Sequence, residues 1–380
     1  MRGHIRKRGK KWAVVVDVGH DEAGRRVQKW HGGFTTRRDA QTALTVILGQ
    51  IQQGGYIEPS KRSAAQFMHD WLASIRASVR PSTWAAYKML TEAHIVPALG
   101  MLPVQRLTAS QLNSFYADLL ENGRRDGKGA LSARTVRYCH ATIRKALADG
   151  LRMGLLVRNV AQQATPPAPS PRQELRTWTA EELRRFLESV QADRLYAAYV
   201  LAGTTGLRRG ELLGLPWHNL DLAAGRVAVI QTLIPVGYAI TYSTPKTAKG
   251  RRSVALDAFT VNALRGHRVR QLEERLALGL GMPGEDGLVF TDVDGSPLHP
   301  GQFSARFDHL VKAADLPRIR LHDLRHTHAT LALQAGIHPK VVSERLGHAN
   351  IAITLDTYSH AIPALHEEAA AKVAALVFGA

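Results

Sequence analysis

The sequence contains 380 residues, of which 45% are hydrophobic, and its formal net charge is +18. This length predicts two or three domains with buried cores, and the excess of Lys and Arg predicts a polyanionic partner such as nucleic acid. An anionic membrane surface is the weaker alternative, because no stretch approaches the roughly 18 consecutive apolar residues of a membrane-spanning helix. The single cysteine, Cys139, excludes an internal disulfide framework and a cysteine zinc cluster. No signal-peptide pattern follows the basic N-terminus, so we expect a cytoplasmic protein without a membrane anchor.

The positive charge is concentrated in the first half of the chain. Residues 1–170 contain 26 Lys or Arg and 11 Asp or Glu, a difference of +15. Residues 171–380 contain 24 and 21, a difference of +3. We therefore expect the first half to supply most of the nonspecific affinity for DNA, while the positive charges of the second half are confined to particular sites.

Residues 1–60 are predicted to form a small α+β domain. The runs WAVVVDV and VQKWHGGF flank a turn rich in Gly and Asp and indicate two strands with a further edge. The run RRDAQTALTVILGQIQQGG indicates a helix that ends at a pair of glycines. The segment has 11 Lys or Arg and 5 Asp or Glu, a difference of +6, which suits strands lying against a DNA groove. A small basic domain without that role, or a protein-contact module, is the alternative.

Residues 63–161 are predicted to form a compact bundle of four helices. The helical stretches, each with an apolar stripe, are SAAQFMHDWLASIRASV, PSTWAAYKMLTEAHI, TASQLNSFYADLLENG and LSARTVRYCHATIRKALADGLRMGLL. Ser82 is the expected cap of the second helix, because a serine hydroxyl can accept a hydrogen bond from the first turn.

A proline-rich linker, QQATPPAPSPRQ at 162–173, precedes the last predicted domain, 174–380. Thr179 and Glu182 have the spacing of a capping box at the start of a helix. The runs RVAVIQT, YAITYS and RRSVAL indicate three strands, and Lys246 falls in the turn between the second and the third. Helical patterns on both sides of these strands predict a mixed helical domain with a small sheet.

The stretch from His322 to Tyr358 contains the candidate site. Its segment HDLRHTHAT is helical in pattern, and His322 and Arg325 are three residues apart, so their side chains would share one face. His348 follows a Leu-Gly turn signal, and Tyr358 comes ten residues later. Two imidazoles, a guanidinium and a phenol predict a phosphate site with an attached nucleophile. The alternative is that the histidines of HDLRHTHAT only cap or pack the helix.

Together with TGLRRGELLGL and TPKTAKGRRSVAL upstream, these motifs closely resemble the tyrosine recombinase, or phage integrase, family. The family's catalytic set of Arg, Lys, His-x-x-Arg, His and Tyr is matched in order by Arg208, Lys246, His322, Arg325, His348 and Tyr358. The resemblance implies a multidomain fold that is mainly α-helical with small β-sheets. Its parts would be an N-terminal arm-type DNA-binding domain, a helical, SAM-like core-binding domain and a mixed α/β catalytic domain with a C-terminal tail helix.

The chemistry of phosphodiester cleavage suggests a role for each candidate. Arg208 and Arg325 can hold the nonbridging oxygens by paired hydrogen bonds as negative charge develops on them. Tyr358 is the candidate nucleophile, and a tyrosine hydroxyl with an ordinary pKa near 10 needs help to attack at neutral pH. His322 is the candidate base.

The remaining candidates assist the same step. Lys246 can protonate the departing 5′ oxygen, and His348 can hydrogen-bond a phosphate oxygen. Glu211, one turn after Arg208, either orients that arginine or a histidine, or is an ordinary helix charge. No metal or other cofactor is expected, because the sequence has neither an H-E-x-x-H pair nor an obvious carboxylate cluster, and no P-loop.

The resemblance implies conservative site-specific recombination of a phage or other mobile element. Tyr358 would form a 3′-phosphotyrosine, and strands would be exchanged through a Holliday junction by a homotetramer on double-stranded DNA attachment sites. A DNA-bending protein and an excisionase are further candidate partners. The tail PALHEEAAAKVAALVF predicts a helix that docks on a neighbouring protomer or packs on its own domain. The alternative functions are DNA relaxation like that of a type IB topoisomerase, DNA binding by a regulator without catalysis and, least favoured, a metal-dependent nuclease.

Overall fold

The computed structural model describes most of the chain, and it divides into two compact units, Met1–Pro171 and Arg172–Ala380. The described residues are 3–20, 23–52, 57–124, 126–127, 129–171, 175–236, 239–244, 250–284, 286–358 and 373–379. Lys246 lies outside the described residues, and so do residues 363–372 of the predicted tail helix, 363–378. In the part that the structure describes, no helix has both the length and the apolar character needed to cross a membrane. The described chain is mainly helical with small sheets, which confirms the predicted fold class.

The first unit begins with a three-stranded antiparallel sheet, whose strands pair in sequence order, and one helix. Its elements are β1 Gly3–Arg8, β2 Lys11–His20, β3 Arg26–Phe34 and α1 Arg37–Gln52. One face of the sheet packs on α1 around a small apolar core of Val14, Val16, Ala40, Leu44 and Ile51. The period-two alternation of a strand places Val14 and Val16 on the same face, which explains why β2 forms the centre of this core.

The opposite face of the sheet carries exposed cationic and aromatic side chains. Val15 on β2 pairs with His4 on β1 and with Trp30 on β3. Val15 is nevertheless buried, whereas Trp30 is 48% exposed, and the guanidinium of Arg6 lies 5.9 Å from the centre of the Trp30 ring. The flanking side chains therefore cover the middle strand and present their own polar edges to solvent.

The rest of the first unit is a helical bundle. Its helices are α2 Ala64–Ile75, α3 Pro81–Leu90, α4 Val96–Leu99, α5 Ala109–Asn122 and α6 Ala133–Arg152. A π-helical turn, Thr91–Ile95, joins α3 to α4, so the predicted second helix continues further than its pattern indicated. The core contains large side chains from all the longer helices, including Phe67, Trp71, Phe115, Tyr116, Val136 and Ile143.

The prediction that Ser82 caps α3 is wrong. The helix begins at Pro81, and Arg80 occupies the capping position without a side-chain hydrogen bond to the first turn. Proline suits the first helical position because its φ is already fixed and it has no N–H to satisfy there, which moves Ser82 inside the helix. By contrast, Ser63 and Thr108 each form a full capping box with a glutamine three residues later.

The second unit is a helical domain with two small sheets. Its helices are α7 Ala180–Ser189, α8 Tyr196–Thr205, α9 Arg209–Leu213, α10 Ala258–Ala277, α11 Pro300–Ala313, α12 Asp323–Gln334, α13 Pro339–Leu346 and α14 Ile351–Tyr358. Its strands are β4 Leu220–Asp221, β5 Arg226–Val229, β6 Thr232–Val236, β7 Ala239–Ser243 and β8 Arg252–Ala255. The three predicted strand runs are therefore not one sheet, since β6 and β7 form a separate hairpin beside the sheet β4-β5-β8.

An aromatic core holds the helices of the second unit together. Its large buried side chains include Trp178, Phe186, Tyr199, Phe303 and Phe307. The predicted capping box of α7 is confirmed, because the Thr179 hydroxyl accepts from the N–H of Glu182. Just before it, the indole of Trp178 donates to the carbonyl of Pro317 at 2.8 Å, and its backbone N–H donates to the Thr327 hydroxyl at 3.1 Å. These bonds fix the start of α7 against α12, the helix that begins beside His322.

Candidate active site

Two arginines lie where three helices meet. Arg208 precedes α9 in the capping position, and Arg325 lies in the first turn of α12, so the predicted helix is present. One guanidinium nitrogen of Arg325, Nη1, donates to the carbonyl of Gly206 at the end of α8, at 2.7 Å. Gly206 has a φ of +67°, and a Cβ there would lie 2.7 Å from Leu346 Cδ2. Only glycine fits this position, and it places the carbonyl that holds Arg325 two residues before Arg208.

Three guanidinium groups donate to three consecutive carbonyls at the C-terminal end of α13. Arg252 Nε donates to the carbonyl of Arg345 at 2.6 Å, and Arg325 Nη2 donates to that of Leu346 at 2.7 Å. Arg208 Nη2 donates to the carbonyl of Gly347 at 3.2 Å. The last carbonyls of a helix have no partner within the helix and carry partial negative charge, so they attract and orient cations.

Glu211 is buried between two of these arginines. Its Oε1 accepts from Arg208 Nη1 at 2.7 Å, and its Oε2 accepts from Arg252 Nη2 at 2.8 Å. Burial alone would raise the pKa of the Glu211 carboxyl, but the arginines more than offset this effect and lower it. Glu211 therefore contacts Arg208 directly as a carboxylate, one of the two alternatives that its sequence position left open.

Both candidate histidines are neutral at neutral pH. Desolvation by the surrounding protein lowers the pKa of His322 to about 4, assisted by the charges of His326 and Arg325, although His322 is exposed on one side. Burial, with Arg325 next, lowers the pKa of His348 to about 4 as well. His348 Nδ1 lies 2.8 Å from the Thr354 hydroxyl on α14, which orients its ring. Neutral imidazoles of this kind can accept a proton or form a hydrogen bond to a phosphate.

Tyr358 ends α14 and has no exposed surface. Its ring packs among apolar side chains of α12 and α13, and its hydroxyl lies 2.8 Å from Nδ1 of His326. Burial raises the pKa of the Tyr358 phenol to about 12, although the charges of Arg325 and Arg208 act in the opposite direction. In this state the candidate nucleophile is protonated and shielded from solvent, and it lies close enough to Arg325 and Arg208 for their charges to affect its pKa.

The structure therefore brings together most of the predicted set. The residues in this cluster are Arg208, Glu211, His322, Arg325, His348 and Tyr358. Lys246 falls outside the described residues, so its place is not part of this geometry. Two residues were missed. The first is Arg252: strand alternation in RRSVAL indicates that one of two adjacent arginines points inward, but not which one. The second is His326, which was included only among histidines that cap or pack the helix.

The arrangement can bind and activate a phosphodiester. The Arg208 side chain is 39% exposed and Arg325 is buried behind it, so one arginine faces solvent while the other supplies fixed positive charge. His322 lies at the open side, and its ring centre is 5.2 Å from that of His326. Among the described residues, no group of three His, Cys, Asp or Glu side chains could hold a metal ion.

Three segments of the chain match known protein families. Residues 175–364 match the phage integrase family, residues 4–51 match an arm DNA-binding domain, and residues 65–120 match the N-terminal SAM-like domain of phage integrases. The first match contains all seven predicted site residues and covers half of the chain.

Whole proteins of similar length are also related to this chain. A XerC-like tyrosine recombinase of Caldanaerobacter subterraneus subsp. tengcongensis is 28% identical over 376 residues, with 94% of each chain covered. The ICEBs1 integrase of Bacillus subtilis is 26% identical, with 89% of this chain and 90% of that protein covered.

Solved structures share the fold. The Tn1549 transposon integrase in complex with a circular intermediate DNA superposes with a TM-score of 0.63 at 23% identity, covering 78% of this chain and 95% of that one. The lambda integrase in a tetramer bound to a Holliday junction superposes with a TM-score of 0.55 at 18% identity, covering 91% and 95%. At these identities the likeness concerns the fold.

Proposed function

The chain belongs to the phage integrase family, and we propose that it is a site-specific tyrosine recombinase that cleaves and rejoins DNA through a 3′-phosphotyrosine. The observation that carries the proposal is the cluster of Arg208, Arg325, two neutral histidines and Tyr358 around the C-terminal end of α13. Each side chain has a task in phosphodiester cleavage.

The arginines stabilise the transition state. A phosphodiester under attack develops negative charge on its nonbridging oxygens, and guanidinium groups donate paired hydrogen bonds to such oxygens. Arg208 is exposed enough to reach them, while its bonds to Glu211 and Gly347 fix its direction. Desolvation lowers the pKa of Arg325 to about 9, which still leaves it charged at neutral pH. His348 donates a further hydrogen bond to the phosphate.

The covalent step exchanges one phosphate ester for another. The Tyr358 oxygen bonds to phosphorus, its proton passes to His322, and the bond from phosphorus to the 5′ oxygen breaks. Lys246 gives that oxygen a proton, so the products are a 3′-phosphotyrosine and a free 5′-hydroxyl. The reverse reaction with another 5′-hydroxyl rejoins the strands and needs no nucleotide cofactor, because the ester bond is conserved. Tyr358 must leave its contact with His326 before it attacks.

The other parts of the chain bind the DNA that this site cuts. We assign residues 1–60 to an arm-type DNA-binding domain, 63–161 to a core-binding domain, 162–173 to a linker and 174–380 to the catalytic domain. Recombination by strand exchange requires one active site for each of four strands, so a homotetramer acts on two attachment sites through a Holliday junction. A DNA-bending protein and an excisionase are accessory partners. The tail helix, of which residues 373–378 are described and exposed, docks between protomers.

A covalent-trapping assay tests the proposal. The protein is incubated in EDTA with nicked duplexes from the ends of its own element and separated on a denaturing gel. We expect the wild type to form a slow, protease-sensitive adduct and Tyr358→Phe to form none while still binding the duplex. Tyr242→Phe is the matched control, because Tyr242 is 45% exposed on the hairpin strand β7, and it should keep the adduct.

Three results would contradict the proposal. Loss of DNA binding by Tyr358→Phe would mean that the tyrosine is structural. DNA that shifts in a native gel but never becomes covalently attached, even with duplexes that span the whole element end, would favour a binding protein without catalysis. Relaxation of supercoiled plasmids that lack any attachment site would instead favour an activity like that of a type IB topoisomerase.

A further inference from the structure

Arg252 is a buried arginine that contacts three parts of the candidate active site. Only 6% of its side chain is exposed. Its Nη2 donates to Glu211 at 2.8 Å, its Nε donates to the carbonyl of Arg345 at 2.6 Å, and its Nη1 donates to the carbonyl of Gly250 at 3.1 Å. Burial of a guanidinium costs desolvation free energy, which its partners must offset. The partners of Arg252 therefore indicate what its charge does.

The first contact balances the charge of Glu211. That carboxylate bonds both to the side chain of Arg208 and to its backbone N–H, which fixes the arginine in place. The same carboxylate would also cancel the positive charge that Arg208 must offer to a phosphate. With Arg252 on the other side of Glu211, the three groups together carry one net positive charge, and that charge faces the solvent through Arg208.

The second contact fixes the end of α13. Arg252, Arg325 and Arg208 donate to the carbonyls of residues 345, 346 and 347 in succession. Removal of the first donor frees one of these carbonyls, which can then draw a neighbouring guanidinium toward itself. Arg252 is also one of the charges that lower the pKa of His348, the residue directly after this helix end.

We propose that Arg252 is a positioning residue for recombination, which acts by neutralising Glu211 so that the charge of Arg208 is available to the scissile phosphate. The inference rests on the proposed function, in which Arg208 binds that phosphate. Arg252 itself, buried behind Glu211, does not touch the DNA.

The test measures single-turnover cleavage of a nicked duplex at saturating protein. We expect Arg252→Met to slow cleavage by at least about 100-fold, comparable to the loss of one preorganised donor to a developing oxyanion. Arg252→Lys keeps the positive charge but lacks the planar set of N–H donors of a guanidinium, so it should cleave faster than Arg252→Met and more slowly than the wild type. Arg251→Met is the matched control, because Arg251 is the neighbouring arginine and is exposed, and it should remain within about threefold of wild type.

A second variant and a second substrate separate charge balance from mere folding. Combining Glu211→Gln with Arg252→Met restores one net positive charge at Arg208 and leaves no unpaired buried carboxylate, so it should cleave faster than Arg252→Met alone. A duplex with a neutral methylphosphonate at the scissile position has less negative charge to stabilise. The defect of Arg252→Met should shrink to less than about tenfold on this substrate.

Each outcome counts for or against the inference. Cleavage by Arg252→Met within threefold of wild type would overturn it, as would equal losses on the phosphodiester and the methylphosphonate. If Arg252→Met fails to fold, the double variant of Glu211→Gln and Arg252→Met replaces it. Its cleavage rates on the phosphodiester and on the methylphosphonate are then compared with those of the wild type. Absence of any covalent adduct with the wild type would instead reject the proposed function, so the two failures are distinguishable.

Discussion

Tyr358 has no exposed surface, and its hydroxyl lies 2.8 Å from Nδ1 of His326. Because burial raises the pKa of the phenol to about 12, the hydroxyl stays protonated at neutral pH in the protein alone. His322, the candidate base, has its ring centre 5.2 Å from that of His326, whereas the hydrogen bond to the tyrosine is made by His326. The proposed attack by Tyr358 therefore requires its hydroxyl to leave this contact with His326.

Tyr358 should react slowly with modifying reagents in the absence of DNA. We expect nitration by tetranitromethane, located by peptide mass spectrometry, to modify Tyr242 at least about ten times faster than Tyr358, because reaction at a buried ring requires local opening. His326→Leu removes the hydrogen bond and should speed nitration of Tyr358 while leaving that of Tyr242 unchanged. Equal rates at the two tyrosines in the wild type would contradict the buried position.

Sequence patterns predict contacts between residues that are close along the chain better than contacts between distant ones. The pair of His322 and Arg325 was predictable, because both lie in one helical segment. The bond of Tyr358 to His326 spans 32 positions and depends on how α14 packs on α12. The inward position of Arg252 likewise depends on where β8 passes Glu211, 41 positions away, which no local pattern determines.

At the scale of elements, local signals again gave the most reliable predictions. The capping box of α7 follows from two residues three apart, and the structure contains it. The pairing of the short strands did not follow from their sequences, because β8 pairs with β5 across the intervening hairpin of β6 and β7. The boundary of α3 was missed because the proline preference for the first helical position outweighed the serine preference for the cap.

The packing of α12 on α8 encloses most of His328, whose titration should make the stability of the second unit sensitive to pH. Burial lowers the pKa of His328 to about 4, and the charge of Arg345 adds to this effect. Its Nε2 is buried and has no hydrogen-bond partner among the described residues. The folded protein therefore binds fewer protons here than the unfolded chain between pH values of about 6.5 and 4, so stability is fully present above that range and falls as the pH drops through it.

Acidification should destabilise the folded protein through His328. Between about pH 7 and about pH 5, this group should reduce the free energy of unfolding by roughly 2 kcal/mol, on the basis of about 1.4 kcal/mol for each pH unit. His328→Leu removes the titrating group, so urea unfolding should show a smaller loss of stability on acidification than in the wild type. The same loss in both proteins would assign the acid sensitivity to other groups.

At the scale of the whole molecule, charge is distributed in a way that the sequence could reveal without any structure. The first 170 residues carry a difference of +15 and the remainder +3, and such sums do not depend on how the chain folds. Which surface uses the charge does depend on the fold. The register of β1, β2 and β3 places Arg6, Trp30 and His4 on the sheet face away from α1, whereas Arg38 lies on the helix.

Arg6 and Arg38 carry the same charge on opposite sides of the arm-type domain. Arg6→Ala should weaken binding to a duplex with arm-type repeats from the element by about tenfold. It should also reduce the slope of log affinity against log salt concentration by about one. Arg38→Ala removes an equal charge from the exposed side of α1 and should change affinity less than about twofold. Fluorescence anisotropy at two salt concentrations measures both effects, and covalent trapping on a nicked core duplex should be unchanged in either variant. Equal losses from the two substitutions would mean that only net charge matters and that the sheet face does not enter the groove.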